Sequence, residues 1–274
     1  VVKLSVSAVS FLSCSLEEAA GIARALGLEA INIIGIAAEN VSGGILHIAP
    51  SEVQRVRGLG MTVPNLHWGI SGGFQPAIND PDPAVRAKNK ELYRRAVEFC
   101  HEAGIFSITV VPGIVHPGQS VRDARALAAD VFNEFVPVAS EADVRLTTEA
   151  HVKSAFESPN SALELVRAVS GLGLVLDCAH FVCQGYPQSS IDPLCQFAAD
   201  VHLRQAKPGL LQTALEDGTI NFALVLDQLR QVGYGGYLCL EYVHQHYIGA
   251  DNVDVLTETV KMRDFVRVQL GTRP

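Results

Sequence analysis

A single-domain α/β barrel of eight strand-plus-helix units, a (β/α)8 or TIM barrel, is the fold class this sequence predicts. Three observations carry that expectation. The 274 residues match one such barrel, which typically needs about 250. Short apolar β-type runs alternate with amphipathic stretches from residue 1 to residue 274, with no linker, low-complexity segment or shift in composition that would divide the chain. The first strand is not followed by the Gly-rich phosphate fingerprint of an open dinucleotide-binding sheet.

The units read in order. Residues 3–11 form the first strand, Ser13 or Ser15 a cap, and residues 16–26 an amphipathic helix that Gly27 ends. Residues 29–36 are the second strand; its helix spans 50–59, with Pro50 in the first turn and Gly60 closing it. Residues 61–67 are the third strand, followed by a Gly-, Pro-, Asn- and Asp-rich loop over 69–83, long enough to cover a site. A helix over 84–103, a strand over 106–111, a turn-rich segment over 112–119 and a helix over 120–142 complete the first half. The second half places strands at 144–149, 172–177, 200–203 and 236–241 and helices at 160–169, 193–199, 221–232 and 253–270.

The formal net charge is −8, from 21 Lys and Arg against 29 Asp and Glu. This acidic balance offers no footprint for a phosphate backbone or an anionic membrane, so nucleic acid and membrane partners are not expected. No uncharged apolar run approaches the roughly 20 residues that span a bilayer. The six cysteines lie in apolar segments without the two-residue gap of zinc ribbons or redox motifs. They read as reduced thiols of a cytoplasmic protein, and the first ten residues read as a strand rather than a secretory leader.

Chemistry concentrates between Val144 and His246. Four consecutive strands end at Glu149, Asp177, His202 and Glu241, at intervals of 28, 25 and 39 residues. Each interval admits one helix and a return to the next parallel strand. Because a barrel carries its active site at the C-terminal strand ends, three carboxylates and an imidazole are expected to converge there as ligands for one divalent ion, Mn2+, Mg2+, Co2+ or Zn2+. Any one of these residues alone would pass for an ordinary loop-start residue; the set of four is the signal.

Other polar residues cluster near the same rim. His180, three residues past Asp177, faces the metal or its substrate; His151, two past Glu149, is either a site residue or a loop histidine. His67 and Trp68, at the end of the third strand, read as pocket wall, with a core position the alternative for the only Trp. Arg204 and Lys207 follow His202 and are candidates to neutralise a substrate oxyanion, the alternative being solvated loop charges. His244 and His246 follow Glu241 and read as supporting or exposed residues.

Taken together, these residues resemble the xylose-isomerase-like barrel family of sugar and sugar-phosphate isomerases and epimerases. The likeness rests on Thr148-Glu149-Ala150-His151, Leu176-Asp177-Cys178-Ala179-His180, His202-Leu203-Arg204, the stretch from Glu216 to Phe222 that contains Gly218-Thr219-Ile220-Asn221, and the stretch from Gly236 to Tyr242. It implies that Glu149, Asp177, His202 and Glu241 hold one divalent metal, often Mn2+, that Glu149 and Glu241 act as proton donor and acceptor on the two faces of a keto sugar, and that His180 contacts a substrate oxygen. A metal chelating a ketone and the neighbouring hydroxyl would acidify the intervening C–H and stabilise an enediolate. The resemblance further implies a dimer or tetramer.

Two positions depart from the ketose 3-epimerases of that family. Pro208 stands where an Arg is usual six residues after the strand-seven His, and Ala155 where a Glu is usual six after the strand-five Glu. These departures bear on the ketohexose 3-epimerase assignment and leave metal-assisted enolisation untouched; the sequence does not separate a free sugar from a phosphate ester. Relatives that use the same metal and base for β-elimination keep a lyase or dehydratase of a keto sugar or keto-inositol as the alternative. An endonuclease IV-like phosphodiesterase, to which His67 and His116 would contribute, is a further class, disfavoured by the acidic charge and by the lack of another His between His202 and Asn221. A barrel that keeps the metal for binding alone is the third.

Overall fold

The computed structural model describes residues 2–37, 48–70, 77–244 and 250–271. Eight parallel strands close on themselves in the order β1 to β8, each hydrogen-bonded to its sequence neighbours and β1 to β8. The strands are β1 (Lys3–Ser7), β2 (Ala30–Ala37), β3 (Asn65–Ile70), β4 (Ser107–Val110), β5 (Arg145–Glu149), β6 (Gly173–Asp177), β7 (Ala198–Leu203) and β8 (Tyr237–Leu240). The helices are α1 (Leu16–Ala25), α2 (Pro50–Gly58), α3 (Pro83–Ala103), α4 (Val121–Glu141), α5 (Pro159–Ala168), α6 (Ala179–Val182), α7 (Gln188–Ile191), α8 (Phe222–Gln231) and α9 (Val255–Gln269). This is the (β/α)8 barrel that the alternation predicts.

Local chemistry explains where the elements begin. Ser15, Asp82, Ser120, Ser158, Asn221 and Asp254 each cap a helix by accepting a backbone N–H with the side chain. Pro50, Pro83 and Pro159 occupy first-turn positions, where a missing N–H costs nothing. Alternation along the strands sends one set of side chains to the helices and the other into the barrel. Leu66, Ile108, Leu146, Leu174, Leu176, Val201, Leu203, Leu238 and Leu240 join the continuous apolar core. Between β3 and α4 that core includes Tyr93 and Phe135, stacked with ring centroids 3.9 Å apart.

Four expectations need correction. The first strand stops at Ser7, where its ladders with β2 and β8 have ended, and residues 8–11 turn as a 3-10 helix. The third strand begins at Asn65 rather than Met61, because Pro64 has no N–H for the ladder and only an isolated bridge from Thr62 to Ala30 precedes it. The helix expected over 193–199 is a 3-10 turn over Asp192–Phe197, preceded by the short α6 and α7; Gly185, Pro187 and Pro193 break this crossover into pieces. Finally, β8 ends at Leu240, so Glu241 is the first residue beyond it. Among the described residues no helix is long and apolar enough to cross a membrane, and the six cysteines are free thiols.

Candidate active site and metal centre

The C-terminal rim brings the four predicted ligands together. Glu149 and Asp177 are the last residues of β5 and β6, His202 is the penultimate residue of β7, and Glu241 follows β8. Strand register aligns Asp177 with His202. All four are buried, and each offers one ligand atom within 4.8 Å of the others.

The contacts inside the cluster test whether a cation fits. His202 Nδ1 lies 3.1 Å from Glu149 Oε1 and 2.9 Å from Glu241 Oε2. Those distances suit hydrogen bonds, yet Nδ1 and Glu149 Oε1 have no aligned partner among the described residues. Side chains aimed at a common centre, rather than at one another, produce this pattern. Three carboxylates and an imidazole in that arrangement fit a divalent ion of borderline hardness.

Burial pushes each carboxyl toward its neutral form, and the neighbours decide the outcome. At Glu149 the push of burial is outweighed by the adjacent His202, with His180 and His67 assisting, and the carboxyl is held well below the usual carboxylate range. Burial likewise raises Glu241, but His202 and then Arg204 bring it below its ordinary value. Asp177 goes the other way, pushed up to about 6 by burial and by the like charges of Glu149 and Glu241 despite Arg204. Burial disfavours the imidazolium of His202, but the Glu241 and Glu149 carboxylates hold its pKa well above the ordinary imidazole range.

Around the ligands, Asp177 Oδ1 accepts the N–H of Ala179 at 2.8 Å, which leaves Oδ2 facing the site. Arg204, buried on the segment after β7, donates to that Oδ2 at 2.6 Å and lies 2.9 Å from His180 Nε2 and 3.7 Å from Glu241 Oε2. Its guanidinium is thus engaged with the ligand carboxylates rather than standing open on the loop. His180 is fully buried and kept neutral by burial, by His151 and by Arg204. Its ring lies against His151, centroids 3.8 Å apart, and the two rings form one wall beside Glu149.

The remaining predicted residues divide. His67, two residues past Asn65 on β3, shares the inward face of that residue nearer the rim. Trp68 does not, and its expected place in the pocket wall is corrected: one residue further along β3 it has the opposite parity, is buried, and packs on Tyr93 of α3 with centroids 5.8 Å apart. Lys207 lies half-buried on the loop after β7, where its backbone N–H donates to Leu210, and among the described residues nothing ties its side chain to the cluster. His244 is exposed, and His246 lies outside the described residues. Neither His67 nor His116 joins a convergent ligand set among the described residues. Ala155, at the position where a further Glu was sought, is buried with its N–H on Gly113 and its carbonyl on Arg125.

Sequence reasoning missed the buried support beneath the rim. Asp200 and Asn32 meet inside the barrel at 2.8 Å. Gln212 ties Val243 to Ala250, and the Tyr242 hydroxyl accepts the N–H of Gln205, so the chain on either side of Glu241 is fixed although the strand has ended. The available signal for Asp200 was its two-residue spacing before His202, which puts both on the inner face of one strand.

An eight-stranded parallel barrel that gathers three carboxylates and an imidazole at its C-terminal rim holds its polar cluster where α/β barrels carry their active sites. The model of the xylose isomerase-like TIM barrel matches residues 21–262, and the chain belongs to that family. Among curated proteins it is similar to the L-ribulose-5-phosphate 3-epimerase UlaE of Salmonella paratyphi B, with 25% identity over 224 residues, 80% of this chain and 76% of the relative. The UlaE of Shigella sonnei is 25% identical over 216 residues, 77% of this chain and 74% of that protein. Among solved structures, an L-ribulose 3-epimerase superposes with a TM-score of 0.78 at 18% identity, covering 99% of this chain and 95% of that one. The zinc-bound IolI protein superposes at 0.75 and 16% identity over 97% and 98% of the two chains. At these identities the solved structures establish the fold.

Proposed function

We propose that the protein is a divalent-metal-dependent isomerase or epimerase of a keto sugar or its phosphate, with Glu149 and Glu241 as the acid and base. One observation carries the reading: two carboxylates, reaching the site from β5 and from the end of β8, flank a single ligand centre, and each is held ionised although buried. The ionised carboxylate on one side of a bound ketose would take the proton from the carbon next to the carbonyl, and the carboxyl on the other side, having taken up a proton from solvent, would deliver one to the opposite face. Glu149, Asp177, His202 and Glu241 would hold the ion, Mn2+ being the first candidate and Mg2+, Co2+ or Zn2+ the others. Such an ion, when bound, polarises the substrate oxygens and lowers the cost of the developing negative charge.

The protein's own groups do the rest. The family resemblance supports His180, neutral, buried and lying against His151, as the partner of a substrate oxygen, which would then compete with Arg204 for its Nε2. Arg204 holds Asp177 and balances the carboxylates, so its part in substrate binding is through the electrostatics of the site. Lys207 remains a candidate for a more distant substrate group. The 3-epimerase activity in the names of the UlaE relatives supports a ketose phosphate as first substrate to try. We also propose that the protein works in the cytoplasm as a homo-oligomer, a dimer or tetramer.

The test is proton exchange. The manganese-loaded protein is incubated in deuterated solvent with a panel of ketoses, keto-inositols and their phosphates. Deuterium entering next to the carbonyl, with a 3-epimer or aldose accumulating, is the expected result. No exchange across the panel rejects enolisation, and exchange with loss of water or an aglycone moves the protein to the lyases.

A further inference from the structure

We infer that Asp200, a buried carboxylate to which the proposed function gives no role, is a positioning residue that fixes which nitrogen of His202 carries the proton. The inference rests on His202 being a metal ligand. An imidazole ligates through an unprotonated nitrogen, and the nitrogen that bears the hydrogen is chosen by the partner of the other one.

The two ring nitrogens of His202 face different surroundings. Nδ1 faces the Glu149 and Glu241 carboxylates on the ligand side. Nε2 faces down into the barrel, where Asp200 Oδ2 lies 4.0 Å away. Asp200 precedes His202 by two residues on β7 and so shares its inner face one layer deeper. Both carboxylate oxygens of Asp200 are held: Oδ2 accepts from Asn32 Nδ2 on β2 at 2.8 Å, and Oδ1 accepts from the N–H of Val201 at 2.9 Å.

Those two donors are neutral, so the buried carboxylate still lacks a counter-charge of its own. A carboxylate buried inside a barrel is costly unless it is paired as well as hydrogen-bonded. Among the described residues His202 is its only ion-pair partner. Reciprocally, His202 Nε2 is buried with no hydrogen-bond partner among those residues, so the nearby carboxylate is the group that decides its state. With the hydrogen drawn to Nε2, the Nδ1 lone pair is left for the ion, and the imidazole becomes a better donor. Asn32, from across the barrel, keeps Asp200 in place.

The experiment uses the full chain and Zn2+, a diamagnetic probe. Zinc affinity is measured by competition with a chromophoric chelator for the wild type and for Asp200→Asn, Asp177→Ala and Glu241→Ala. Nitrogen-15 histidine spectra of the zinc-loaded wild type assign the protonated nitrogen of His202, which needs no variant to fold. The expected results are a His202 proton on Nε2 and a zinc affinity lowered about 10- to 100-fold in Asp200→Asn. A proton on Nδ1, or an Asp200→Asn affinity within twofold of wild type while Asp177→Ala and Glu241→Ala lose zinc, overturns the role of Asp200 and leaves the ligand set standing. If Asp177→Ala and Glu241→Ala bind zinc as the wild type does, the ligand set itself fails and this inference with it.

Discussion

The interior of the barrel between β3 and β5 and the rim over β5 to β8 are both buried and both polar, but they satisfy their polar groups differently. In the interior, Asn65 donates to Ser107 and Thr109, Thr109 bonds Thr147 at 2.8 Å, and Ser107 and Thr147 reach the carbonyls of Pro64 and Ile108. These neutral groups partner one another, which makes a buried polar layer rigid at little electrostatic cost. At the rim, Glu149 Oε1, both nitrogens of His202 and Arg204 Nε lack aligned partners among the described residues, and full charges stand in their place. Buried charges without aligned partners call for a functional explanation that a satisfied neutral layer does not, so the contrast separates scaffold from candidate site within a single barrel.

Removing one ligand should break the comparison most completely. Asp177→Ala is expected to reduce affinity for a divalent ion by more than about a thousandfold, because it removes a ligand and also frees Arg204, which Asp177 holds at 2.6 Å. The fold should persist, since strand-end residues on this face serve function more than stability. Chelator competition and circular dichroism check the two halves of this expectation. Glu241→Gln keeps the shape but not the base, and turnover is expected to fall by about 10²- to 10⁴-fold. Because the residue is also a proposed ligand, the assay needs saturating metal, with bound metal measured in the same sample.

Acidity sharpens the contrast by roughly tenfold per unit. In the metal-free protein the Glu241 and Glu149 carboxylates raise the pKa of His202 and favour its protonated form. An ion must displace that proton, so affinity should rise about tenfold per pH unit until the raised pKa is passed. Below about pH 6 Asp177 is protonated as well, and the dependence should steepen. The sign for stability is opposite in the metal-free chain. A histidine raised in the folded state contributes stability that is present below its unfolded value and lost as pH climbs through the folded one. Thermal melts on the alkaline side should therefore fall with pH for the metal-free protein, while added metal should stabilise it increasingly. Parallel slopes in the two samples would show that His202 is not displaced by the ion.

Much of this contrast was visible in the sequence, and the rest was hidden for identifiable reasons. Glu149, Asp177, His202 and Glu241 stood out because a polar residue ending an apolar run is conspicuous and barrel topology assigns all such ends to one rim. Trp68 was misplaced because the third strand was ended at His67, whereas β3 runs on to Ile70 and Trp68 keeps a strand position whose side chain turns to the helices. Asp200 escaped notice because it reads as an ordinary strand start, and its partner Asn32 lies 168 residues away. The position of Arg204 on Asp177 is a matter of side-chain direction, which spacing along the chain does not encode. The broken crossover between β6 and β7 was smoothed into one helix because short turns have no periodicity to read.

The smallest expected effect comes from the neutral layer. Thr109 is fully buried, and its hydroxyl accepts from Asn65 Nδ2 at 2.9 Å and lies 3.1 Å from Asn65 Oδ1 and 2.8 Å from the Thr147 hydroxyl, its one proton serving either of the two. Thr109→Val keeps the branched shape and removes that hydroxyl. Thr147 keeps its bond to the Ile108 carbonyl and Asn65 keeps Ser107, so only part of the layer is disconnected. The loss should be about 1 to 2 kcal/mol, the cost of a buried hydrogen bond with one partner left unsatisfied. That corresponds to a melting temperature lower by about 2–4 °C per kcal/mol. Metal affinity should stay within about twofold of wild type, because the layer carries no charge and contributes no ligand to the rim. A variant that melts normally but loses metal would show that the two regions are one coupled network, and would undo the division between scaffold and site.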